Sequence, residues 1–162
     1  MITTKTLLEN SRNFGNNGAN IRIEFDPPAY DVSQKKLTFK GMADSSDPKK
    51  KYNVHIAFFD IDMTYEDFLS GNWNLTKEIL LDKPLKVDCK CKAYEMSGCL
   101  KGNLQHDCAL YTHAEFTHYE KKTDRPEKNP ENIPMGCKHI YSAIEQILSE
   151  IDNIKQPSEN LN

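Results

Sequence analysis

The chain has 162 residues, a length that supports one domain with a real hydrophobic core but not two. Its 21 Lys and Arg residues nearly balance 24 Asp and Glu residues, for a formal net charge of -3, which argues against a nucleic-acid-binding protein. No stretch approaches the roughly 20 apolar residues of a transmembrane helix, and the N-terminus lacks the apolar middle of a signal peptide, so we expect no membrane association and no export by that route.

The first 20 residues are polar and rich in Asn and Gly, which predicts a flexible N-terminal arm with little core of its own. Three segments after this arm alternate apolar and polar residues with the period of half-buried strands. They are IRIEF (21–25), KLTFKGM (36–42) and YNVHIAFFDI (52–61). These patterns predict a small antiparallel β-sheet.

The pattern then changes to helical spacing in TYEDFLSG (64–71), where a Thr can cap the first turn and a Gly can end the last one. This segment predicts one short helix. Residues 74 to 91 return to an extended pattern that runs into Cys89 and Cys91. We expect these two cysteines to continue the inward face of a strand.

Residues 92 to 136 contain few aliphatic side chains but many Cys, His, Tyr, Asn and Pro. A loop of this length is unusual in a compact domain, so we expect something other than a hydrophobic core to hold the segment in place. After it, isoleucines spaced by four and three residues predict an amphipathic helix from about Cys137 to Lys155 whose apolar stripe packs on the sheet. These isoleucines are Ile140, Ile144, Ile147, Ile151 and Ile154.

The sequence therefore predicts a single α+β domain over residues 21 to 155, with an arm before it and a tail from 156 to 162 after it. The domain would combine a small antiparallel sheet, a long insert that contains Cys and His, and a C-terminal amphipathic helix.

Two close pairs of metal-ligating residues flank the long insert: C-K-C at Cys89 and Cys91, and C-K-H at Cys137 and His139. A structural zinc ion takes four tetrahedral ligands, usually thiolates and imidazoles that arrive as close pairs from two places in the chain. Residues two apart on a strand point to the same face, so the first pair can share one ion. The second pair lies at the N-terminal end of the predicted helix, where the helix dipole favours thiolate. The pattern predicts a zinc site at these four residues.

Other interpretations of the cysteines remain open. All five lie between positions 89 and 137, and free cysteines are often simply buried small hydrophobic residues, with His139 then an ordinary surface histidine. Cys99, His106 and Cys108 lie inside the insert, together with His113 and His118, and could bind a second ion or replace one of the four ligands. A disulfide between Cys99 and Cys108 is a further alternative, which a reducing compartment disfavours.

The sequence gives little support to an enzyme. We find no nucleophile elbow, phosphate-binding Gly loop, H-E-x-x-H or deaminase pattern. A catalytic zinc also keeps an open coordination position, and four Cys and His ligands leave none. We therefore expect no catalytic residues and no small-molecule substrate.

The C-K-C and C-K-H pairs resemble the SWIM zinc finger, whose pattern is C-x-C, a variable gap and C-x-H. More closely, PLKVDCKCKAY and NPENIPMGCKHIYSAI look like a group of tailed-bacteriophage virion proteins, in which a strand leads into C-x-C and an aromatic residue, followed by a long insert, N-P, Pro, Gly, C-K-H and a helix. The similarity covers residues 52 to 155. This chain departs from the group by placing Met135 between Pro134 and Gly136, and by its extra Cys and His residues in the insert.

The resemblance implies that Cys89, Cys91, Cys137 and His139 bind a structural Zn²⁺, with Asn129, Pro130, Pro134 and Gly136 shaping the approach to the last helix. It also implies a non-catalytic structural component of a tailed phage particle (neck, connector, baseplate or capsid-associated), made in the host cytoplasm and localised to the virion. Its partners would be other virion proteins in a symmetric assembly.

The main alternative is a SWIM-type zinc module that binds nucleic acid or a regulatory protein in the host cell. The basic cluster KKTDRPEK (121–128) favours it, whereas the net charge of -3 opposes nucleic acid. A thiol or zinc enzyme is the third hypothesis, and it predicts a reactive, low-pKa cysteine in the zinc-loaded protein.

Overall fold

The structure is a computed structural model that describes residues 1–17, 20–113 and 128–154. The predicted tail from 156 to 162 lies outside these residues, as does the basic cluster 121–128 except for Lys128. The described helices are α1 (Thr4–Asn13), α2 (Tyr65–Ser70), α3 (Lys77–Leu81), α4 (Lys92–Met96), α5 (Cys99–Gln105) and α6 (Lys138–Ile154). The described strands are β1 (Ile23–Phe25), β2 (Ala29–Asp31), β3 (Lys36–Asp44), β4 (Lys51–Phe58) and β5 (Leu85–Cys89).

The five strands form one antiparallel sheet in the order β1-β3-β4-β5, and β2 also pairs with β3. Phe58 in β4 is paired with both Leu37 in β3 and Leu85 in β5, which defines one end of the sheet. Val54 is paired with Cys89 near the opposite end. Because β5 ends at Cys89, the first predicted metal ligand lies at that second end. The α+β class with a small antiparallel sheet is confirmed.

Helix α6 covers the sheet with the predicted isoleucine stripe. It contacts β4 and β5, and Ile140, Ile144, Ile147 and Ile151 are all at most 2% exposed. Burial of each such side chain stabilises the fold by about 1.5–3 kcal/mol. These four isoleucines therefore pack on the sheet, as predicted, whereas the side chain of Ile154 lies outside the described part of the structure. Among the described residues, no helix has both the length and the hydropathy that crossing a bilayer requires.

The N-terminal segment differs from the expected arm because it contributes helix α1 to the core. Leu7 and Leu8 are buried, and Thr4 and Ser11 complete the same buried face. The polar composition of the segment, with its many Asn residues, concealed this buried face. The hydroxyl groups on this face are satisfied by backbone carbonyls, at 3.0 Å for Thr4 and 2.7 Å for Ser11.

The insert and the segment before it are more helical than expected. Residues 74 to 91 contain α3, which Thr76 caps through its side chain, so the extended pattern holds only from Leu85 onward. The first part of the insert forms α4 and α5 instead of a long loop. Tyr94 and Leu100, from these two helices, are fully buried and bring the insert into the core.

Candidate metal centre

Cys89, Cys91, Cys137 and His139 meet at one end of the sheet, brought there by three elements. Cys89 is the last residue of β5, and Cys91 is the N-cap of α4. Cys137 immediately precedes α6, and His139 lies in its first turn. One ligand atom from each of the four residues lies within 4.8 Å of all the others. The sequence predicted that Cys91 would continue the strand, but β5 ends at Cys89. Cys91 still reaches the cluster, because the chain turns there into α4.

The spacing of the ligand atoms fits a tetrahedral metal ion. The Nδ1 atom of His139 is 3.8 Å from Sγ of Cys89 and 3.9 Å from Sγ of Cys137. Zinc bonds of about 2.3 Å to sulfur and about 2.0–2.1 Å to nitrogen give tetrahedron edges of roughly 3.5–3.8 Å. The cluster thus needs a contraction of at most about 1 Å to hold zinc. The ring of Tyr52 packs on His139, with centroids 5.3 Å apart, and supports the imidazole from outside.

The pKa values of the thiols in the cluster are shifted in opposite directions. Hydrogen bonds with the thiols of Cys137 and Cys89 lower the pKa of Cys91, and the backbone N–H of Tyr94 also donates to its sulfur at 3.4 Å. Burial, together with contacts to the other two thiols, raises the pKa of Cys137 well above its ordinary value. A metal dication would replace the protons that burial retains, because thiols bind metal as thiolates and release protons in doing so.

The backbone before Cys137 is held by buried polar side chains. The carboxamide of Asn103 accepts from the N–H of Met135 and donates to its carbonyl, both at 2.8 Å. The N–H of Gly136 donates to the hydroxyl of Ser11 at 2.9 Å. Asn103 and Ser11 are at most 1% exposed, so these contacts are shielded from water. The second ligand pair is therefore positioned by both α5 and α1.

Asn129 and Gly136, which the resemblance singled out, occupy tight positions in this approach. Asn129 accepts from the N–H of Ile133 at 3.0 Å and donates to the carbonyls of Ile133 and Gly98. A Cβ atom on Gly136 would lie 2.5 Å from Cγ2 of Ile140 in α6. Only glycine therefore lets the chain pass this close to the helix that carries His139.

The other described cysteine and histidine candidates in the insert lie apart from the cluster, and His118 lies outside the described residues. The Cys99 thiol contacts the hydroxyl of Ser97 at 3.2 Å, and the Cys108 thiol donates to the carbonyl of His106 at 3.1 Å. Both cysteines are free, so no disulfide joins them. Burial raises the pKa of Cys99 to about 11. Within the described residues, Cys89, Cys91, Cys137 and His139 are the only such group whose ligand atoms come together.

A second buried polar group beside the cluster was missed from the sequence. The ring of His113 bridges two carboxylates, with Nε2 2.5 Å from Asp88 and Nδ1 2.5 Å from Glu95. The Asp88 carboxylate is fully buried, and the amine of Lys90 lies 3.8 Å from its second oxygen. The sequence signals were His113 itself, as one of the candidate ligands in the insert, and an Asp on the alternating strand that leads to Cys89; neither indicated that the two would meet. The group joins that strand to α4 and to the chain beyond α5.

A groove of about 1080 Å³ opens beside the cluster and is lined in part by Cys91, Cys137 and His139. We call it the lysine groove, because four exposed lysines lie along it. These are Lys50, Lys92, Lys128 and Lys138.

Comparison with known proteins finds no matching family model, no matching curated protein and no matching solved structure. The resemblance to tailed-phage virion proteins accordingly stays a prediction from two motifs. The cluster of three cysteines and one histidine that could hold a metal ion is a finding of the structure.

Proposed function

We propose that this chain is a non-catalytic structural domain whose fold is closed by one zinc ion at Cys89, Cys91, Cys137 and His139. We further propose that it serves as a component of a tailed phage particle, at the neck, connector, baseplate or capsid, with other virion proteins as partners in a symmetric assembly.

One observation carries the first proposal: four ligand atoms from three separate elements lie within 4.8 Å of one another. Free cysteines are often buried for packing alone, but such packing does not require three sulfurs and one imidazole nitrogen to converge. Three thiolates and one imidazole form the soft donor set that structural zinc prefers. A closed set of four protein ligands supports a structural role, because catalytic zinc keeps one position for water or substrate.

Zinc would fasten the insert and helix α6 to the sheet. The ligands span residues 89 to 139, and the ion would join the end of β5 to the start of α6 across the whole insert. In small zinc domains the apparent free energy of metal binding is about 10 kcal/mol or more, and it contributes directly to folding. A particle component gains from such a cross-link, since its surfaces are then held in one shape for its neighbours.

The virion assignment rests on the two sequence motifs and is supported by the arrangement around them. In the motif, Gly136 passes close to Ile140 of α6, and Asn129 holds the preceding turn through its hydrogen bonds with Ile133. These residues therefore have a structural reason to accompany the C-K-H pair.

The metal content of protein purified without chelator tests the zinc proposal. We expect one zinc per chain in the wild type and in the Cys99→Ser and Cys108→Ser variants. Loss of zinc is expected for Ser at position 89, 91 or 137 and for His139→Gln. The two cysteines outside the cluster are matched controls, because both are buried and free like the three ligands. Absence of metal, or a loss that follows positions 99 and 108, would contradict the proposal.

The particle proposal needs a separate readout. Negative-stain electron microscopy of the zinc-loaded protein is expected to show discrete symmetric oligomers. A strictly monomeric protein that binds DNA in a salt-dependent manner would contradict it.

That second outcome defines our other candidate, a SWIM-type zinc module that binds nucleic acid or a regulatory protein. The lysine groove is the observation in its favour, because exposed lysines beside the cluster could contact phosphates. The formal net charge of -3 opposes it. A fall in affinity for a single-stranded oligonucleotide with rising salt, abolished by groove substitutions, would favour this candidate.

A further inference from the structure

The lysine groove carries an excess of positive charge that the described part of the chain does not neutralise. Its lining includes five cationic side chains, the four lysines and Arg22, against the two carboxylates of Asp44 and Asp47. Arg22 is paired with Glu24 at 2.8 Å, and Asp44 with Lys51 at 3.7 Å. None of the four lysines has a carboxylate within ion-pair distance among the described residues.

A surface of opposite character lies at residues 60–71, which we call the acidic knob. Its sequence, DIDMTYEDFLSG, contains four acidic residues and no basic one. Helix α2 within it buries none of its residues, and it presents Tyr65 at 52% exposure and Leu69 at 66%. Phe68 stacks on Trp73 with centroids 5.3 Å apart, which fixes this helix on the domain. Exposed apolar side chains surrounded by charge are typical of an interaction surface.

The groove and the knob lie at opposite ends of the sheet. The groove is lined by Lys50 and Tyr52, at the start of β4, while the knob follows Phe58, at the end of β4. The eight residues of that strand span about 25 Å, since a strand rises about 3.3 Å per residue. The knob of a molecule is therefore too far away to fill the groove of the same molecule.

We propose that the lysine groove binds the acidic knob of a second copy of this chain, so that copies associate head to tail. This inference rests on the proposed function as an assembled structural component, and it names the contact that forms the assembly. The charges are complementary, because the groove has five cations against two carboxylates and the knob is acidic. On the knob, Asp60 and Asp62 lie 3.9 and 3.8 Å from Lys83 and Lys35, which leaves Glu66 and Asp67 without an ion pair among the described residues. Tyr65 and Leu69 would contact Phe14 and Tyr52, which line the groove.

Two different surfaces at opposite ends make this contact heterologous. Such contacts build rings when the rotation between copies closes and filaments when it does not. A variant that lacks one surface still carries the other. Mixing a groove-deficient variant with a knob-deficient variant should therefore restore one good contact and stop at a dimer.

The test uses zinc-loaded full-length chains in sedimentation velocity. The groove variant is Lys50→Gln/Lys128→Gln, and the knob variant is Glu66→Gln/Asp67→Asn; both remove charge without reversing it, so the two altered surfaces do not attract each other. Lys5→Gln/Lys77→Gln is the matched control, because these exposed lysines lie away from the groove and make the same charge change. Zinc content and circular dichroism of every variant establish that the fold is retained.

We expect the wild type and the control to form oligomers at about 0.1 M salt that dissociate at about 1 M, where the Debye length falls from about 10 Å to about 3 Å. Each surface variant alone should associate at least about tenfold more weakly, and an equimolar mixture of the two should form a dimer.

Three results would overturn the inference: a zinc-loaded wild type that stays monomeric, oligomers that both variants retain, or a mixture that does not associate. Loss of oligonucleotide binding in the groove variant alone would instead assign the groove to nucleic acid. The zinc proposal stands or falls separately, because zinc content is measured in the same samples.

Discussion

The side chain of Asn103 and the backbone of Met135 form two hydrogen bonds of 2.8 Å each, although 32 residues separate them. Met135 lies two residues before Cys137, so this pair of bonds sets the path by which the second ligand pair reaches the cluster. The same carboxamide also donates to the hydroxyl of Tyr94 at 3.1 Å. Asn103 therefore supports the cluster of four candidate ligands without belonging to it.

Substitution of Asn103 by Ala should weaken both the fold and zinc binding. The change leaves the N–H and carbonyl of Met135 buried without partners, which costs about 2–4 kcal/mol. Asn103→Asp should have an intermediate effect, because it keeps the acceptor but loses the donor. Denaturant unfolding and competition with a zinc chelator measure the two effects. Asn53→Ala, at an exposed position of β4, is the control. Changes within about 0.5 kcal/mol of wild type in Asn103→Ala would show that the contact is unimportant.

The bridge from His113 to Asp88 should show strong energetic coupling. Removal of one partner of a buried hydrogen bond leaves the other group unsatisfied, which costs about 1–3 kcal/mol and more when that group is charged. We expect His113→Gln and Asp88→Asn each to be strongly destabilising. The double variant should lose less than the sum of the two, by about 1–3 kcal/mol. Chemical denaturation at saturating zinc gives the free energy of unfolding of the wild type, the two single variants and the double variant. The control is His106→Gln, at an exposed position. Additive losses would mean that the two residues act independently.

His55 should make stability fall at mildly acidic pH. Burial lowers its pKa below the ordinary value of 6.5, although the charge of Asp88 acts in the opposite direction. The pKa of His55 is lower in the folded protein than in the unfolded chain. Neutral His55 therefore contributes fully to stability above pH 6.5, and this contribution is lost as the pH falls through the folded-state pKa.

The wild-type protein should therefore lose more stability below pH 6.5 than a His55→Phe variant, whose ring can keep the edge contact with Tyr111. Thermal unfolding of both proteins over this range gives the difference, which cancels the shared protonation of the metal ligands. Parallel curves would rule out a contribution from His55.

Cys99 should react slowly with alkylating agents. Burial raises its pKa to about 11, so its thiolate is scarce at pH 8. We expect iodoacetamide to label it on the order of 100-fold more slowly than an unperturbed thiol with a pKa of about 8.5. Mass spectrometry of timed digests measures labelling of each cysteine, and protein unfolded in guanidinium provides the fully reactive control. Rapid labelling of Cys99 in the zinc-loaded protein would place this thiol in an open environment and revive the enzyme hypothesis.

The sequence was most informative where one local pattern determines one element. Alternation predicted the central strands, and the isoleucine stripe predicted α6. The short helix α2 begins after Thr64, whose hydroxyl accepts from the N–H of Asp67, and it ends at Gly71 with a φ of 76°. Both capping residues were recognised because their chemistry acts over three or four residues.

The parts that were missed depend on contacts between distant segments. Helix α1 has a buried face at Thr4, Leu7, Leu8 and Ser11, a helical spacing that polar composition concealed. The face is buried because Ser11 bonds to Gly136, 125 residues away. The four ligands were recognisable from their paired spacing, whereas nothing local indicated that Asp88 would be bridged by His113.

Neither edge of the sheet offers a continuous row of free backbone groups in the described part of the chain. Along one edge, Pro27 and Pro28 interrupt the run from β1 to β2, and proline has no amide proton to donate. Along the other edge, the amides of Leu85 and Val87 donate to carbonyls of crossing segments at 3.3 and 2.8 Å. Strand-to-strand polymerisation between native molecules is thereby disfavoured. In the proposed assembly, molecules at high local concentration would then stay in register through side-chain contacts without merging into a common sheet.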